Sequence, residues 1–503
     1  MSNYVIIFNE VLVIFMIKLK NIIFDLDGTL WQTKKSYIYA YHKLCDFYHV
    51  ENKVSDDTVL KYMGVRLDIL LNDLFPDVLD KYSLAYQAMN YSIEYLIINK
   101  DDCCYTGVYD TLKNLSKNYN IYIVSNCLDE YVKTFLNISN TFDFVNNFYT
   151  IESGTKEEHI RRITNDYTDY SLFVGDSDDD YLAIKNVNKD FTRIFFCYAS
   201  YGYMKSLYYD YKIDRLDLDD VVNDIELKLN ILDDVKFKVI SYNGSSVTLI
   251  KKQDCYYFGF VNNINKEIFP FIDEYAKSNN IKRLLGPINN NTWYSYRFSL
   301  DNFDFNLYPD CNNDENTVKL FYENGYNIVQ YYSSSLATIN YKVWDRCKRS
   351  DIKYDVIIKS GNDAYLYLDD LYKVARKAFR LADYYEEISL DKFKDIYIKN
   401  ISLCNPDLIM IYDNKELVAF NFCYEDLLKR FYVCKTIAID PIYQKNRNIF
   451  MKLVDYSYQM MEKRGYDKVL YHFQNERTKV LNRIVDGYLV KKKMYGLLEK
   501  KYE

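Results

Sequence analysis

Histidine is nearly missing from this chain, with four residues in 503, and none of the eleven cysteines falls in a Cys-x-x-Cys pair. That leaves no histidine–cysteine cluster with the spacing of a zinc or redox site. The cysteines read as reduced, mostly buried thiols of a cytoplasmic protein. Cys103-Cys104 is the one adjacent pair, and adjacency alone indicates no redox chemistry. Positive charge is short as well: 64 Lys and Arg stand against 71 Asp and Glu, a net −7 that counts against nonspecific nucleic-acid binding. A membrane-spanning run is absent too. Residues 4–17 are nearly all apolar, but Asn9 and Glu10 interrupt them and the stretch is too short to cross a bilayer. It also lacks the basic start and small-residue cleavage site of a secretory signal. Met16, ahead of Ile-Lys-Leu-Lys-Asn, is a natural translation start, so residues 1–18 read as a dispensable leader. Tyrosine is plentiful, at 55 residues, which fits an AT-rich genome better than an aromatic binding function. The length predicts three or four domains, each large enough for its own core.

Residues 22–30, Ile-Ile-Phe-Asp-Leu-Asp-Gly-Thr-Leu, predict a buried strand that delivers Asp25 to its C-terminal end. An open α/β sheet keeps its ligand crevice there. Asp27 follows two residues on, where Gly28 permits a tight bend. Two carboxylates so close need a cation between them, or one must hold a proton. A hard ion such as Mg²⁺ suits them. Asp25 could act as nucleophile, and Asp27 could protonate a leaving group and then activate water. Residues 121–126 predict a second short strand, ending in Ser125 and Asn126. Residues 172–180 predict a third, ending in Gly175 and an acidic cluster. Between these two, Lys156 opens an amphipathic segment. Three strands delivering polar groups at one end, with a lysine to neutralise phosphate, form the constellation phosphoryl transfer requires.

These elements, in this order, resemble the haloacid dehalogenase-like hydrolases over roughly residues 19–230. The resemblance implies Asp25 as nucleophile, Asp27 as general acid/base, and a phosphate loop that includes Gly28 and Thr29. It implies that Ser125 holds the transferring phosphoryl group with Asn126 beside it, and that Lys156 stabilises the intermediate. Mg²⁺ would be held by Asp25, Asp27, Asp176 and Asp180, with Asp178 and Asp179 in the same run leaving the second carboxylate open. An aspartate nucleophile also allows dehalogenation, but Asp27 and the Asp176/Asp180 pair favour phosphate. Residues 34–104 predict helices over 37–48 and 82–98, broken at Met63-Gly64 and Phe75-Pro76. In the resembled family such an insertion is a helical cap that closes on a small phosphorylated metabolite. Residues 19–33 and 105–232 would then form the core.

Beyond residues 214–235 the pattern turns β-like, at 237–242 and 246–251. Residues 281–298 give a strand ending at Gly286-Pro287 and an aromatic, polar loop. Residues 320–332 give a helix, a stop at Gly325 and a strand. The last segment predicts helices at 371–379 and 390–401 and a hairpin, 408–412 and 416–424, around Asp413-Asn414-Lys415. A strand at 432–439, a helix at 449–464, a strand at 469–473 and a helix at 475–485 follow. This order resembles the GNAT acyltransferases, in which a glycine-rich loop and a helix N-terminus cradle the pyrophosphate of acetyl-CoA or another acyl-CoA. Residues 346–503 would be one such domain and 233–345 a divergent copy carrying Gly286-Pro287-Ile288-Asn289. Cofactor contacts would fall at Gln444, Lys445, Arg447, Asn475 and Tyr495. The loop departs from the family's Gln/Arg-x-x-Gly-x-Gly/Ala, reading Gln444-Lys445-Asn446-Arg447-Asn448-Ile449 with both small residues gone. Arg447 and Ile449 would obstruct the approach of backbone amides to a pyrophosphate. Lys445 and Arg447 could reach phosphates through their side chains instead.

The expected architecture is thus α/β: a Rossmann-like core with a helical cap, followed by two GNAT-like α+β domains. Three functions stay open. One is a Mg²⁺-dependent phosphatase with an acyltransferase region. A second is a phosphatase whose GNAT-like half only binds. The third is a carrier-loading glyceryl transferase, which Leu30-Trp31 resembles, though Gly28 replaces the expected asparagine and the cap would block a bulky carrier.

Overall fold

The structure, a computed structural model, describes residues 18–502 apart from 52, 63–66, 101–102, 165–168, 233–234, 309–312 and 478–483. The expected leader lies almost wholly outside the described residues. The chain divides into two compact units, residues 1–252 with 261–275, and residues 253–260 with 276–503.

In the first unit six parallel strands form one sheet: β1 (Lys18–Phe24), β2 (Asn120–Val124), β3 (Asn147–Tyr149), β4 (Asp169–Gly175), β5 (Ile194–Ala199) and β6 (Tyr211–Ile213). Their order is β3-β2-β1-β4-β5-β6, so β1 lies where the winding reverses. Ile22, Ile23 and Phe24 are fully buried, as a central parallel strand covered on both faces requires. Such a reversal opens a crevice at the strands' carboxyl ends.

Four helices are inserted between β1 and β2: α1 (Lys34–Phe47), α2 (Asp56–Leu60), α3 (Leu67–Leu74) and α4 (Lys81–Ile98). On α1, Ser36, Ala40, Tyr41, Leu44 and Cys45 form one buried stripe at helical spacing. Tyr41 and Leu44 pack with Val59, Leu70, Leu71, Phe75 and Leu84 in a core separate from that of the sheet. α5 (Val108–Leu115) returns the chain to the sheet, followed by α6 (Asp129–Ser139), α7 (Lys156–Ile163), α8 (Asp178–Lys185) and α9 (Asp219–Ile231). The first unit also takes in the hairpin β7 (Phe237–Tyr242) and β8 (Ser245–Lys251), beyond the boundary expected at 232/233. Asn243 and Gly244 both have positive φ there, the tight turn an Asn-Gly pair favours.

The second unit is mostly sheet. Its strands are β9 (Tyr256–Asn262), β10 (Arg283–Gly286), β11 (Phe298–Ser299), β12 (Asn327–Thr338), β13 (Asp355–Ser360), β14 (Asp407–Asp413), β15 (Glu416–Glu425), β16 (Tyr432–Ile439), β17 (Lys468–Asn475) and β18 (Leu489–Lys501). They follow the order β13-β14-β15-β16-β17-β12-β18-β10-β9, with β11 beside β18. Its helices follow α10 (Phe269–Ser278), which begins in the first unit: α11 (Glu315–Glu323), α12 (Tyr341–Lys348), α13 (Leu368–Phe379), α14 (Leu390–Cys404) and α15 (Arg447–Lys463). Leu371, Val374, Phe393 and Tyr397 cover one face of the sheet, where Met410 and Phe422 point. Trp344, Leu453 and Tyr458 cover the other, where Ile409, Ile411 and Tyr471 point.

Residues 233–345 and 346–503, expected as two separate domains, contribute to this one sheet, because β12 lies between β17 and β18. The helix expected to begin at Asn475 is corrected there: Asn475 ends β17, its backbone paired opposite Tyr332. Cross-strand pairing outweighs the local helical pattern at that point. A fully buried Asp407 fixes the β14 end of the sheet. It accepts two hydrogen bonds from Arg464 at 2.6 and 2.8 Å and one from the Tyr432 hydroxyl at 2.8 Å. Among the described residues no helix is long and apolar enough to cross a membrane.

Candidate active site

Asp25 follows the last residue of β1, held by a hydrogen bond from its own N–H to the Val174 carbonyl at 2.9 Å. The chain then folds into a tight loop in which Leu30 and Trp31 donate to the Leu26 carbonyl. Gly28 has φ +80°, and a Cβ there would stand 2.2 Å from Asp176 Oδ2. Glycine is needed at this position for both conformation and space.

Asp176 continues β4, and Ser177 caps α8 through a reciprocal pairing with Asp180. Asp180 Oδ2 accepts from Ser177 Oγ at 2.8 Å and from Ser177 N at 3.1 Å. Lys156 opens α7 behind a second capping box, Thr155 with Glu158. Its ammonium donates to Asp25 Oδ1 at 2.6 Å and to Asp180 Oδ1 at 2.7 Å. Carboxylate oxygens of Asp25, Asp176 and Asp180 all lie within 4.8 Å of one another. Asp27, expected with them, turns its carboxylate elsewhere and accepts from the Tyr131 hydroxyl at 3.1 Å.

Three buried carboxylates face one ammonium, and the electrostatics register the imbalance. Burial first, then Asp180 and Asp176, push the Asp25 carboxyl well above the usual carboxylate range against the pull of Lys156. Burial and then Asp180 push Asp176 up to about 7. Burial likewise lifts Asp27 to about 6, against hydrogen bonds from Thr33 and Tyr131. Burial alone would lower Lys156, but Asp180 and Asp25 outweigh it and hold the ammonium firmly charged. Oxygen-only donors carrying excess negative charge fit a hard divalent cation.

One cavity of about 100 Å³ brings together Asp25, Asp27, Ser125, Asn126, Lys156 and Asp176. Asp180 stands behind them, completely buried, and touches the cavity through Lys156. Thr29 is completely buried and its hydroxyl has no hydrogen-bond partner among the described residues. In the second unit, Gln444 and Lys445 lie in the exposed turn before α15, which the exposed Arg447 opens, and Gln444 Nε2 donates to the Ile439 carbonyl. Ile449 packs into the core, fully buried. Asn475 and Tyr495 flank Tyr332 on either side, apart from that turn in the sequence of the sheet.

Sequence reasoning did not reach the residues that hold Asp176. Its Oδ2 accepts from the backbone N–H of Tyr203 at 2.6 Å, and the Tyr203 hydroxyl donates to the Trp31 carbonyl at 3.0 Å. Gly202, just past the end of β5, was the available signal: a Cβ there would lie 2.3 Å from Asp176 Cβ and 2.6 Å from the Gly28 carbonyl oxygen. Gly202→Ala is expected to displace Asp176 and lower divalent-metal affinity about tenfold or more, while the cap core stays intact. Calorimetric titration with Mg²⁺ checks it.

Residues 22–194 match the family model of the haloacid dehalogenase-like hydrolases, and this N-terminal part of the chain is a hydrolase domain of that kind. The pyrophosphatase PpaX of Bacillus thuringiensis (strain Al Hakam) is 22% identical over 221 residues, spanning 41% of this chain and 98% of that protein. A haloacid dehalogenase-like family hydrolase of Streptococcus pneumoniae is 18% identical, covering 41% of this chain and 98% of its own, with a TM-score of 0.33. The magnesium-bound hydrolase YfnB of Bacillus subtilis is 16% identical, covering 41% and 99%, with a TM-score of 0.32.

Proposed function

We propose that the first unit hydrolyses a phosphomonoester through an aspartyl-phosphate on Asp25, with Mg²⁺ on Asp25, Asp176 and Asp180. The observation that carries this reading is the Asp25 carboxylate at the sheet's switch point, 2.6 Å from Lys156, on the floor of a capped cavity that also holds Asp27 and Ser125. A bound Mg²⁺ would supply positive charge to the phosphoryl oxygens. Asp25 Oδ attacks phosphorus as the bond to the leaving oxygen breaks, and Asp27 gives that oxygen its proton. Asp27 then takes a proton from water, whose oxygen attacks phosphorus, freeing inorganic phosphate and the Asp25 carboxylate. Lys156 and Ser125 hold the phosphoryl oxygens throughout.

The roof of the cavity points to the substrate. Leu44, Val59, Leu70, Leu71, Phe75 and Met89 line it from the cap, and Lys156 is the one cation among its described lining residues. An apolar leaving group matches these walls, whereas a second phosphate would be buried without a counter-charge. Phosphate release from phenyl phosphate, an alkyl phosphate, phosphoglycolate and pyrophosphate, with and without Mg²⁺, is the test. We expect metal-dependent turnover, with kcat/KM for the apolar esters at least about tenfold above pyrophosphate. Turnover of none by folded protein would sink the hydrolase reading, and preference for pyrophosphate would sink only the apolar leaving group.

A second reading concerns the other unit. β16 and β17 are parallel and pair only through Tyr432–Cys434 with Val469–Tyr471, after which they part. Such a wedge suits an extended acyl-CoA arm, as in the GNAT-like resemblance. The glycine-free loop 444–449, exposed over 444–447, favours binding without efficient transfer.

A further inference from the structure

Tyr131 is a buried phenol whose hydroxyl serves a carboxylate. It lies in the first turn of α6, is 3% exposed, and donates to Asp27 Oδ1 at 3.1 Å. Packing alone does not ask for that hydroxyl. Trp31, completely buried, packs against the Tyr131 ring at a centroid distance of 5.0 Å and against Phe135, one turn further along α6, at 5.4 Å. Both are tilted aromatic contacts, and the one from Phe135 needs no polar atom. A phenylalanine at 131 would fill the same space without a hydroxyl that must find a partner in the interior. The hydroxyl is therefore explained by what it holds.

What it holds stands beside the nucleophile. Asp25, Asp27 and Tyr131 line one cavity together with Ser125 and Lys156. Three side chains hydrogen-bond the Asp27 carboxylate: Thr33, Tyr131 and Tyr37. Thr33 precedes α1 and Tyr37 lies on it, so both belong to the cap. Tyr131 comes from the core. Its helix follows β2, which pairs alongside β1 with Ile123 opposite Phe24. Tyr131 therefore ties Asp27 to the two strands that carry Asp25 and Ser125. The Ser92 hydroxyl, from α4 of the cap, makes a hydrogen-bond contact to Tyr131 in turn, and itself donates to Ser36 Oγ at 2.9 Å. A carboxyl at the end of two rotatable bonds delivers a proton only where those bonds point it. An error of about 1 Å in such a placement costs about a hundredfold in rate.

We propose that Tyr131 is a positioning residue: through its hydrogen bond to Oδ1 it holds the Asp27 carboxyl in the orientation that gives a proton to the leaving oxygen of the substrate. The role rests on the aspartyl-phosphate reading above, in which Asp27 is the acid. The proton passes from Asp27 to the leaving oxygen as its bond to phosphorus breaks, and Tyr131 keeps its own. Such a role has a signature that a general disturbance lacks. An alkoxide leaves only with a proton, whereas 4-nitrophenolate is stable enough to leave without one. Because kcat/KM covers the steps through cleavage of the ester, it reports this proton transfer.

The test compares hexyl phosphate with 4-nitrophenyl phosphate, using the full chain in Mg²⁺, for wild type and for Tyr131→Phe, with melting curves to establish that the variant folds. We expect kcat/KM to fall about thirtyfold for hexyl phosphate and less than about threefold for 4-nitrophenyl phosphate. Ser92→Ala, which withdraws the hydroxyl behind Tyr131, should move the same ratio in the same direction, and it serves if Tyr131→Phe does not fold. Equal losses on the two esters would make Tyr131 a structural residue and overturn the proposal. A gain on hexyl phosphate would overturn it too, as the mark of a hydroxyl that restrains Asp27 in an idle position. Turnover of neither ester by wild type would sink the phosphatase reading itself, and this role with it.

Discussion

Asp25→Asn is expected to abolish phosphate release, by about 10⁴-fold or more, while the metal-free protein melts at a higher temperature than wild type. The two effects have opposite signs because Asp25 does two opposed things. As nucleophile its oxygen forms the bond to phosphorus, and an amide cannot replace it. As a buried charge it stands within 4.8 Å of Asp176 and Asp180, with Lys156 the one cation among the described residues in ion-pair contact with them. Asparagine keeps an oxygen for the 2.6 Å contact from Lys156 and removes one of the repelling charges. Mg²⁺ should consequently raise the melting temperature of wild type more than that of the variant. Activity assays beside melts with and without Mg²⁺ decide it. Loss of both activity and stability would make Asp25 a structural residue.

Alkali is expected to unfold both units between about pH 10 and 12, well before the backbone itself is attacked. Burial pushes Tyr170, in the first unit, and Tyr397, in the second, from 10.0 up to about 12. Both are nine-tenths buried or more. A folded-state pKa above the unfolded one gives stability that is complete below the unfolded value and is lost as pH rises toward the folded value. Two pKa units correspond to about 3 kcal/mol for each group, a large part of the 5–15 kcal/mol that holds a typical domain together. Half-buried Lys435, whose pKa desolvation lowers to about 8, works the other way and adds stability from about pH 8 upward. It is one group against many tyrosines. Tyrosinate absorbance and circular dichroism recorded together should show ionisation and unfolding in one cooperative step. Smooth tyrosine titration with retained structure would refute it.

The residues of the active site that could be read from the sequence share one property: each lies directly after an apolar run or opens a helix. Asp25, Ser125 and Asp176 end strands, and Lys156 begins a helix, so position along the chain already fixed their position in the sheet. Tyr131 and Tyr203 carry no such local mark. Tyr131 reaches Asp27 across 104 residues of sequence and Tyr203 reaches Trp31 across 172, contacts that periodicity cannot foresee. The second half behaved similarly. The hairpin around Asp413-Asn414-Lys415 was legible because its turn residues, Asn414 and Lys415, take positive φ between two apolar runs. The neighbours of β12 were not, because alternation marks a strand without naming its partner.

The place of β12 has a consequence for inheritance. A gene fragment beginning at residue 346 would encode β17 and β18 but not the strand that lies between them. Two rows of backbone donors and acceptors would be left open at the middle of the sheet, free to recruit any passing strand. The second half of this chain can therefore be duplicated, lost or transplanted only as a whole, however plainly its sequence suggests two copies.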